Sequence, residues 1–189
     1  MSAPTSKRNT MQWTGNRRTT GLTVLPDHEG AMLFCPAESV TADEVAIAVR
    51  FSSGLIHAAM FSDELDRLRI PDQPVYDSER SELGFTVAVD AVGVGTGISA
   101  IDRSFTLRKL ADPGTNPEDL RRPGHVMPVR CSRPSATTSN VYERALDVIT
   151  AAGHAPVALI CRLVHDNGSV VDSIDAHWYA ERHGLAVHS

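Results

Sequence analysis

The sequence is poor in cysteine and lysine, and it has no long apolar run. Its three cysteines, Cys35, Cys131 and Cys161, form no C-x-x-C pair, and each sits in or beside an apolar run. They are therefore read as buried, reduced thiols of a cytoplasmic protein. Lysine occurs only as Lys7 and Lys109, the other basic residues being arginine, and this carries no functional meaning. No apolar stretch reaches membrane-spanning length, and the N-terminus lacks a signal-peptide core, so no membrane partner is expected. Basic charge is not in excess: the net charge is −5, which argues against a nucleic-acid or anionic-membrane binder. Internal repeats are absent.

What is present is a 189-residue chain with 42% hydrophobic and 22% charged residues, enough for one domain with a substantial core. Residues 1–20 are polar and without periodicity, which reads as a flexible N-terminal tail. The remainder, 21–189, reads as one domain. Strands are expected over 22–25, 31–36, 54–60, 85–89 and 157–164, with a hairpin turn at Asp166-Asn167-Gly168 and a return at 170–171. Helices are expected after the capping box Thr41–Glu44, after Ser62 as a cap, over 100–110, through Ala152 after Asn140 or Ser139 as a cap and with Gly153 as its C′ residue, and after Asp175 as a cap, ending at Gly184. A short helix starts at Asn116-Pro117. Residues 71–82 and 132–140 read as loops, the first of them mobile, and residues 122–125 as a turn carrying an imidazole.

The chain is organised around residues 84–103. An alternating strand there runs into Gly93, Gly95 and Gly97, and then into a helix with Ser99 at its N-cap and Asp102 three residues on. Such a strand, turn and helix start aim free N–H groups at one spot, a seat for an anion; the other reading is a tight turn with no ligand.

Several motifs in order then resemble one family. They are residues 84–91 (Gly-Phe-Thr-Val-Ala-Val-Asp-Ala), 96–103 (Thr-Gly-Ile-Ser-Ala-Ile-Asp-Arg) and 122–128 (Arg-Pro-Gly-His-Val-Met-Pro). With residues 159–161, 166–168 and 181–185 they resemble 3,4-dihydroxy-2-butanone 4-phosphate synthase over most of the chain. The resemblance implies an α+β fold: a single domain with a mixed β-sheet flanked by helices. It also implies a homodimer with sites at the interface, a small-molecule substrate and a divalent metal, magnesium or manganese. The family reaction converts ribulose 5-phosphate to a four-carbon phosphate plus formate.

The departures from the family pattern fall on the site. The opening motif D-x-x-x-R-E-N-E-G-D is shortened to residues 26–31, so that Asp27 stands for the first metal-binding Glu and Ala31 for the last Asp. His57 replaces an active-site cysteine. Val141 stands where the metal-binding His belongs, Thr138 where a phosphate-gripping Arg belongs, and Arg162 where a Glu belongs. Thr96, Asp102, Arg103 and His125 are retained.

The candidate catalytic residues are accordingly Asp27, Glu29, His57, His125 and Glu143, with Asp27 the remaining candidate metal ligand. The candidate substrate-binding residues are Thr96, Gly97, Ser99, Arg103 and Arg162. His28, His57 and His125 offer imidazoles for a rebuilt acid–base site, or a softer site for zinc or iron. His57 also reads as a core histidine. Arg162 reads either as an ion-pair partner of Glu143 or Glu29, or as a binder of a substrate carboxylate.

The preferred reading is a diverged homologue catalysing a different proton-transfer, lyase or cyclisation step in specialised biosynthesis. The alternatives are a genuine synthase and a non-catalytic dimeric partner or ligand sensor.

Overall fold

The computed structural model describes residues 21–76, 83–133 and 140–188. The expected tail at 1–20 and much of the two expected loops lie outside them. Among the described residues, no helix is long and apolar enough to cross a membrane.

Eight strands among the described residues make one mixed sheet: β1 (Thr23–Leu25), β2 (Met32–Pro36), β3 (His57–Phe61), β4 (Gly84–Phe85), β5 (Val89–Ala91), β6 (Leu120–Cys131), β7 (Val157–Arg162) and β8 (Ala186–Val187). Their order is β4-β6-β3-β7-β2-β1-β8, with β5 paired to one end of β6. β3 runs parallel to β6 and β1 parallel to β8, while β2, β3 and β7 are joined by antiparallel ladders. The central strands read Met-Leu-Phe-Cys, His-Ala-Ala-Met-Phe and Val-Ala-Leu-Ile-Cys. They are apolar without alternation because both of their faces are covered.

The faces are covered unequally. Helices α1 (Ala42–Phe51), α3 (Ala100–Ala111) and α5 (Asp175–His183), with Leu65 and Leu68 of the short α2 (Ser62–Arg67) and its C-cap, close the larger core around Leu33, Cys35, Met60, Leu159 and Cys161. Among the described residues, α4 (Val141–Ala151) is the helix that covers the other core, with Val141, Tyr142, Ala145, Leu146 and Ile149 clustered with Met32, Phe34, Ala59 and Ile160. The expected capping box of α1 forms: Thr41 Oγ1 accepts from Glu44 N, and Glu44 Oε2 accepts from Thr41 N at 2.8 Å. All three thiols are free and buried, and burial raises the pKa of each.

Several local expectations need correction. The strand over 85–89 is broken. Thr86 turns inward, fully buried, with its hydroxyl donating to the Pro128 carbonyl at 2.8 Å, and β5 starts only at Val89. Residues 122–125 form no turn; they lie inside the twelve-residue β6. A Cβ on Gly124 would fall 2.0 Å from the Val89 carbonyl carbon, so glycine here serves close strand packing rather than chain reversal. Asp175 does not cap α5, because Asp172 Oδ1 accepts from the Ile174 and Asp175 amides instead. Phe61, not Ser62, is the N-cap of α2. β8 has no counterpart among the expected strands.

Candidate active site

Two buried aspartates organise the polar residues. The first is Asp90, at a register shift between β5 and β6. The close approach at Gly124 brings the next residue, His125, beside it. Asp90 is 1% exposed and accepts twice from that residue: from the His125 amide into Oδ1 at 2.9 Å, and from Nδ1 into Oδ2 at 2.9 Å. A carboxylate only accepts, so Nδ1 carries a hydrogen, and in the neutral ring Nε2 holds the lone pair. The imidazole is 39% exposed, so that nitrogen can reach a ligand. Arg121 Nη2 stands 3.6 Å from Asp90 Oδ2 and donates to the Gly95 carbonyl at 2.9 Å.

The glycine turn folds against this pair. Gly97 has φ +88°, and a Cβ on it would lie 2.0 Å from Asp90 Oδ2 and 2.6 Å from His125 Nδ1. Only glycine fits there. The turn is not an open anion seat, however. Asp102 accepts from the Gly97 amide at 3.1 Å and the Gly95 amide at 3.4 Å. Burial is the largest single influence and acts upward, but the hydrogen bonds from Ser99, Gly97 and Gly95, with the charge of Arg121, together hold its carboxyl below the ordinary range. The expected anion site at Thr96, Gly97 and Ser99 is thus filled from within: the chain's own carboxylate takes the amides, and Ser99 Oγ caps α3 by accepting from Asp102 N. Thr96 and Ser99 are exposed and Gly97 is buried. Arg103 is buried and donates from Nη1 to the Gly54 carbonyl at 3.4 Å.

The second group gathers where the β1–β2 turn meets the start of α4. Asp27, 7% exposed, accepts from Arg144 Nη1 into Oδ1 at 3.1 Å and from the Glu29 amide into Oδ2 at 3.1 Å. Arg144 Nη2 also donates to the Pro26 carbonyl at 3.2 Å, and His28 Nδ1 lies 3.5 Å from Asp27 Oδ1. Arg162 Nη1 donates to the carbonyls of Glu29 and Gly30 at 2.7 and 2.9 Å, with Nη2 3.9 Å from the Glu29 carboxylate. Of its two readings, Arg162 takes the structural one, and its partner is Glu29 rather than Glu143. Glu143 caps α4: its oxygens accept from the Ser132 amide at 2.9 Å and the Asn140 amide at 3.1 Å. Both oxygens of this expected catalytic group are held by backbone.

His57 belongs to neither aspartate. It is buried on β3, with Nδ1 3.1 Å from the Tyr142 hydroxyl and its ring beside Phe85. Burial, and then the charge of Arg162, lower its pKa to about 4, while burial raises that of Tyr142 to about 12. This is a neutral hydrogen-bonded pair inside the smaller core. The three imidazoles of the expected rebuilt site have separate partners: Asp27 for His28, Tyr142 for His57 and Asp90 for His125. Among the described residues, no three His, Cys, Asp or Glu side chains gather as a metal-ligand set.

Sequence reading missed Asp90, Arg121, Tyr142 and Arg144. Asp90 had a signal, an acidic residue closing an apolar strand. Arg144 had none, since it looks like the solvent face of a helix.

A mixed sheet helix-covered on both faces, with an imidazole–carboxylate pair packed against a glycine turn, defines an α+β domain with one polar pair set against its glycine turn. The chain belongs to the 3,4-dihydroxy-2-butanone 4-phosphate synthase family, whose sequence model matches residues 23–189. It is 35% identical over 173 residues to 3,4-dihydroxy-2-butanone 4-phosphate synthase of Salmonella arizonae, covering 88% of this chain and 79% of that one. It is 41% identical over 168 residues to riboflavin biosynthesis protein RibBA of Salinispora arenicola, covering 85% of this chain but only 39% of that protein. The crystal structure of the Candida albicans synthase superposes with a TM-score of 0.79 at 30% identity, covering 88% of this chain and 86% of that one. A second synthase structure, solved in complex with two magnesium ions, gives the same score at 31% identity and the same coverage.

The residues here do not fit a magnesium ion at the position the resemblance gives it. Both Asp27 oxygens are engaged, one of them by a guanidinium. Val141, at the place of the histidine ligand, is 6% exposed and packed in the smaller core. Magnesium asks for hard oxygen donors in near-octahedral array; the Asp27 oxygens are already engaged and Val141 offers no donor.

Proposed function

We propose that the chain is a lyase of the 3,4-dihydroxy-2-butanone 4-phosphate synthase type, acting on ribulose 5-phosphate and supplying the riboflavin pathway. The identity to synthases, spread along nearly the whole domain, supports this reading over a changed activity. The observation that carries it is the Asp90–His125 pair. Asp90 holds Nδ1 protonated and fixes the ring, so Nε2 is placed to remove a proton next to a carbonyl and return it later. The buried carboxylate stabilises the imidazolium formed in between. Arg121 adds positive charge at the rim. The family's homodimer, with sites at the subunit interface, is part of the proposal, as is a single domain over 21–189.

The Asp27–Arg144 pair favours a second reading. A different proton-transfer, lyase or cyclisation step would keep His125 and dispense with the metal. Purified protein, free of host synthase, should release formate from ribulose 5-phosphate, and His125→Ala should abolish that release. Turnover of other hydroxycarbonyl compounds without formate selects the second reading. No turnover at all, with no cellular consequence of His125→Ala, selects a non-catalytic partner or sensor.

A further inference from the structure

We infer that Arg144 is a built-in cation that takes the place of a divalent metal at Asp27, so the chain takes no such ion there. The inference concerns what Asp27 binds and holds whichever reaction the chain performs. Asp27 is nearly buried, so its charge needs a partner. Arg144 supplies one at 3.1 Å and is anchored by a second bond to the Pro26 carbonyl. The other carboxylate oxygen is taken by the Glu29 amide. An ion bound to Oδ1 would therefore sit against a guanidinium that cannot shed its charge. One turn earlier on α4, the position that would offer a second ligand is Val141, apolar and buried among Met32, Phe34 and Ile160. The loss of one ligand and the gain of the arginine lie on the same helix start, three residues apart, and they act in the same direction.

Manganese is the probe. The full-length protein is titrated with Mn(II), and the free aquo-ion signal is followed by electron paramagnetic resonance for wild type, Asp27→Asn and the double variant R144A/V141H. Wild type and Asp27→Asn should deplete the signal equally, to the level of nonspecific binding. The double variant, which frees the carboxylate and adds an imidazole, should bind one ion per chain at least tenfold more tightly than wild type. One ion bound per wild-type chain and lost in Asp27→Asn overturns the inference. An ion that survives Asp27→Asn lies elsewhere and supports Arg144's hold on this carboxylate. Should the double variant fail to fold, melting temperatures of wild type and Asp27→Asn decide: the two should respond alike to millimolar Mn(II) against chelator, and a rise of several degrees in wild type that Asp27→Asn abolishes overturns the inference. None of these readouts depends on formate, so a failed synthase assay leaves the result intact.

Discussion

Asp90 and Asp27 are built from the same parts in opposite order. Each is a buried aspartate with one imidazole and one guanidinium near it. At Asp90 the imidazole is close, at 2.9 Å, and the guanidinium stands off at 3.6 Å. At Asp27 the guanidinium is close, at 3.1 Å, and the imidazole stands off at 3.5 Å. An imidazole gains and loses protons near neutral pH, whereas a guanidinium does not. The near partner therefore decides what the carboxylate is for. Beside His125 it orients the imidazole that we propose moves protons; beside Arg144 it becomes half of a fixed charge pair.

The comparison breaks most visibly at Asp90. Both its oxygens accept, so in Asp90→Asn the amide NH₂ must face either the His125 amide or Nδ1–H, and two donors meet. The ring is then pushed to the other tautomer. We expect kcat for formate release to fall by about 10²- to 10⁴-fold, on the order of what a positioned general base contributes. Asp27→Asn should cost less than about tenfold, since its carboxylate touches no proton-transferring group other than the distant His28. The ¹⁵N shifts of the His125 ring check the same claim without substrate: they should change in Asp90→Asn and not in Asp27→Asn. Equal losses at the two aspartates would end the distinction.

His57 sharpens it from outside, as an imidazole with no aspartate at all. Its pKa is about 4 in the folded chain and about 6.5 in the unfolded one. The unfolded state therefore binds more protons between these values, and stability rises with pH across that window. The expected change is about 3 kcal/mol, fully present above pH 6.5 and lost as pH falls toward 4. Denaturant unfolding of wild type and His57→Gln at several pH values isolates it. The variant should lack this part of the acid destabilisation, while retaining whatever the carboxylates contribute. Identical pH slopes for the two proteins would mean that His57 is accessible to protons in the fold.

Much of the fold could be read from the chain because its signals are local. The Thr41–Glu44 cap, the Asn140 cap and Gly153 beyond α4 act within a turn of their own helix. The buried runs of β2, β3 and β7 carry their burial in composition. The site was less legible because its decisive contacts join residues far apart. Asp90 meets His125 across 35 positions, and Asp27 meets Arg144 across 117. Pro123 and Gly124 look like a turn in isolation; only the packing of β6 on β5 shows that glycine is needed for contact. The glycine turn looked like a phosphate cradle because nothing local says that Asp102 folds back onto it. Arg144 stayed hidden because it looks like the solvent face of a helix and sits beside a capping glutamate.

The smallest effect tests the comparison most closely, through the two guanidiniums. Removing Arg144 leaves a buried carboxylate without its charge partner, which in full burial costs 3–5 kcal/mol. The Arg144 side chain is 41% exposed, so water recovers part of that, and about 1–2 kcal/mol is expected for Arg144→Ala. Arg121 is 45% exposed and stands farther from Asp90, which keeps its bonds to His125 when the arginine is gone. Arg121→Ala should cost about 0.5 kcal/mol or less. Single costs mix in lost packing, so the decisive quantity is the coupling in two double-mutant cycles, measured by denaturant unfolding at neutral pH. Asp27→Asn with Arg144→Ala should couple by about 1 kcal/mol or more; Asp90→Asn with Arg121→Ala should be nearly additive. The reverse order would mean that Arg121, not His125, is the partner Asp90 depends on, and that the proton-moving pair is a second fixed charge pair after all.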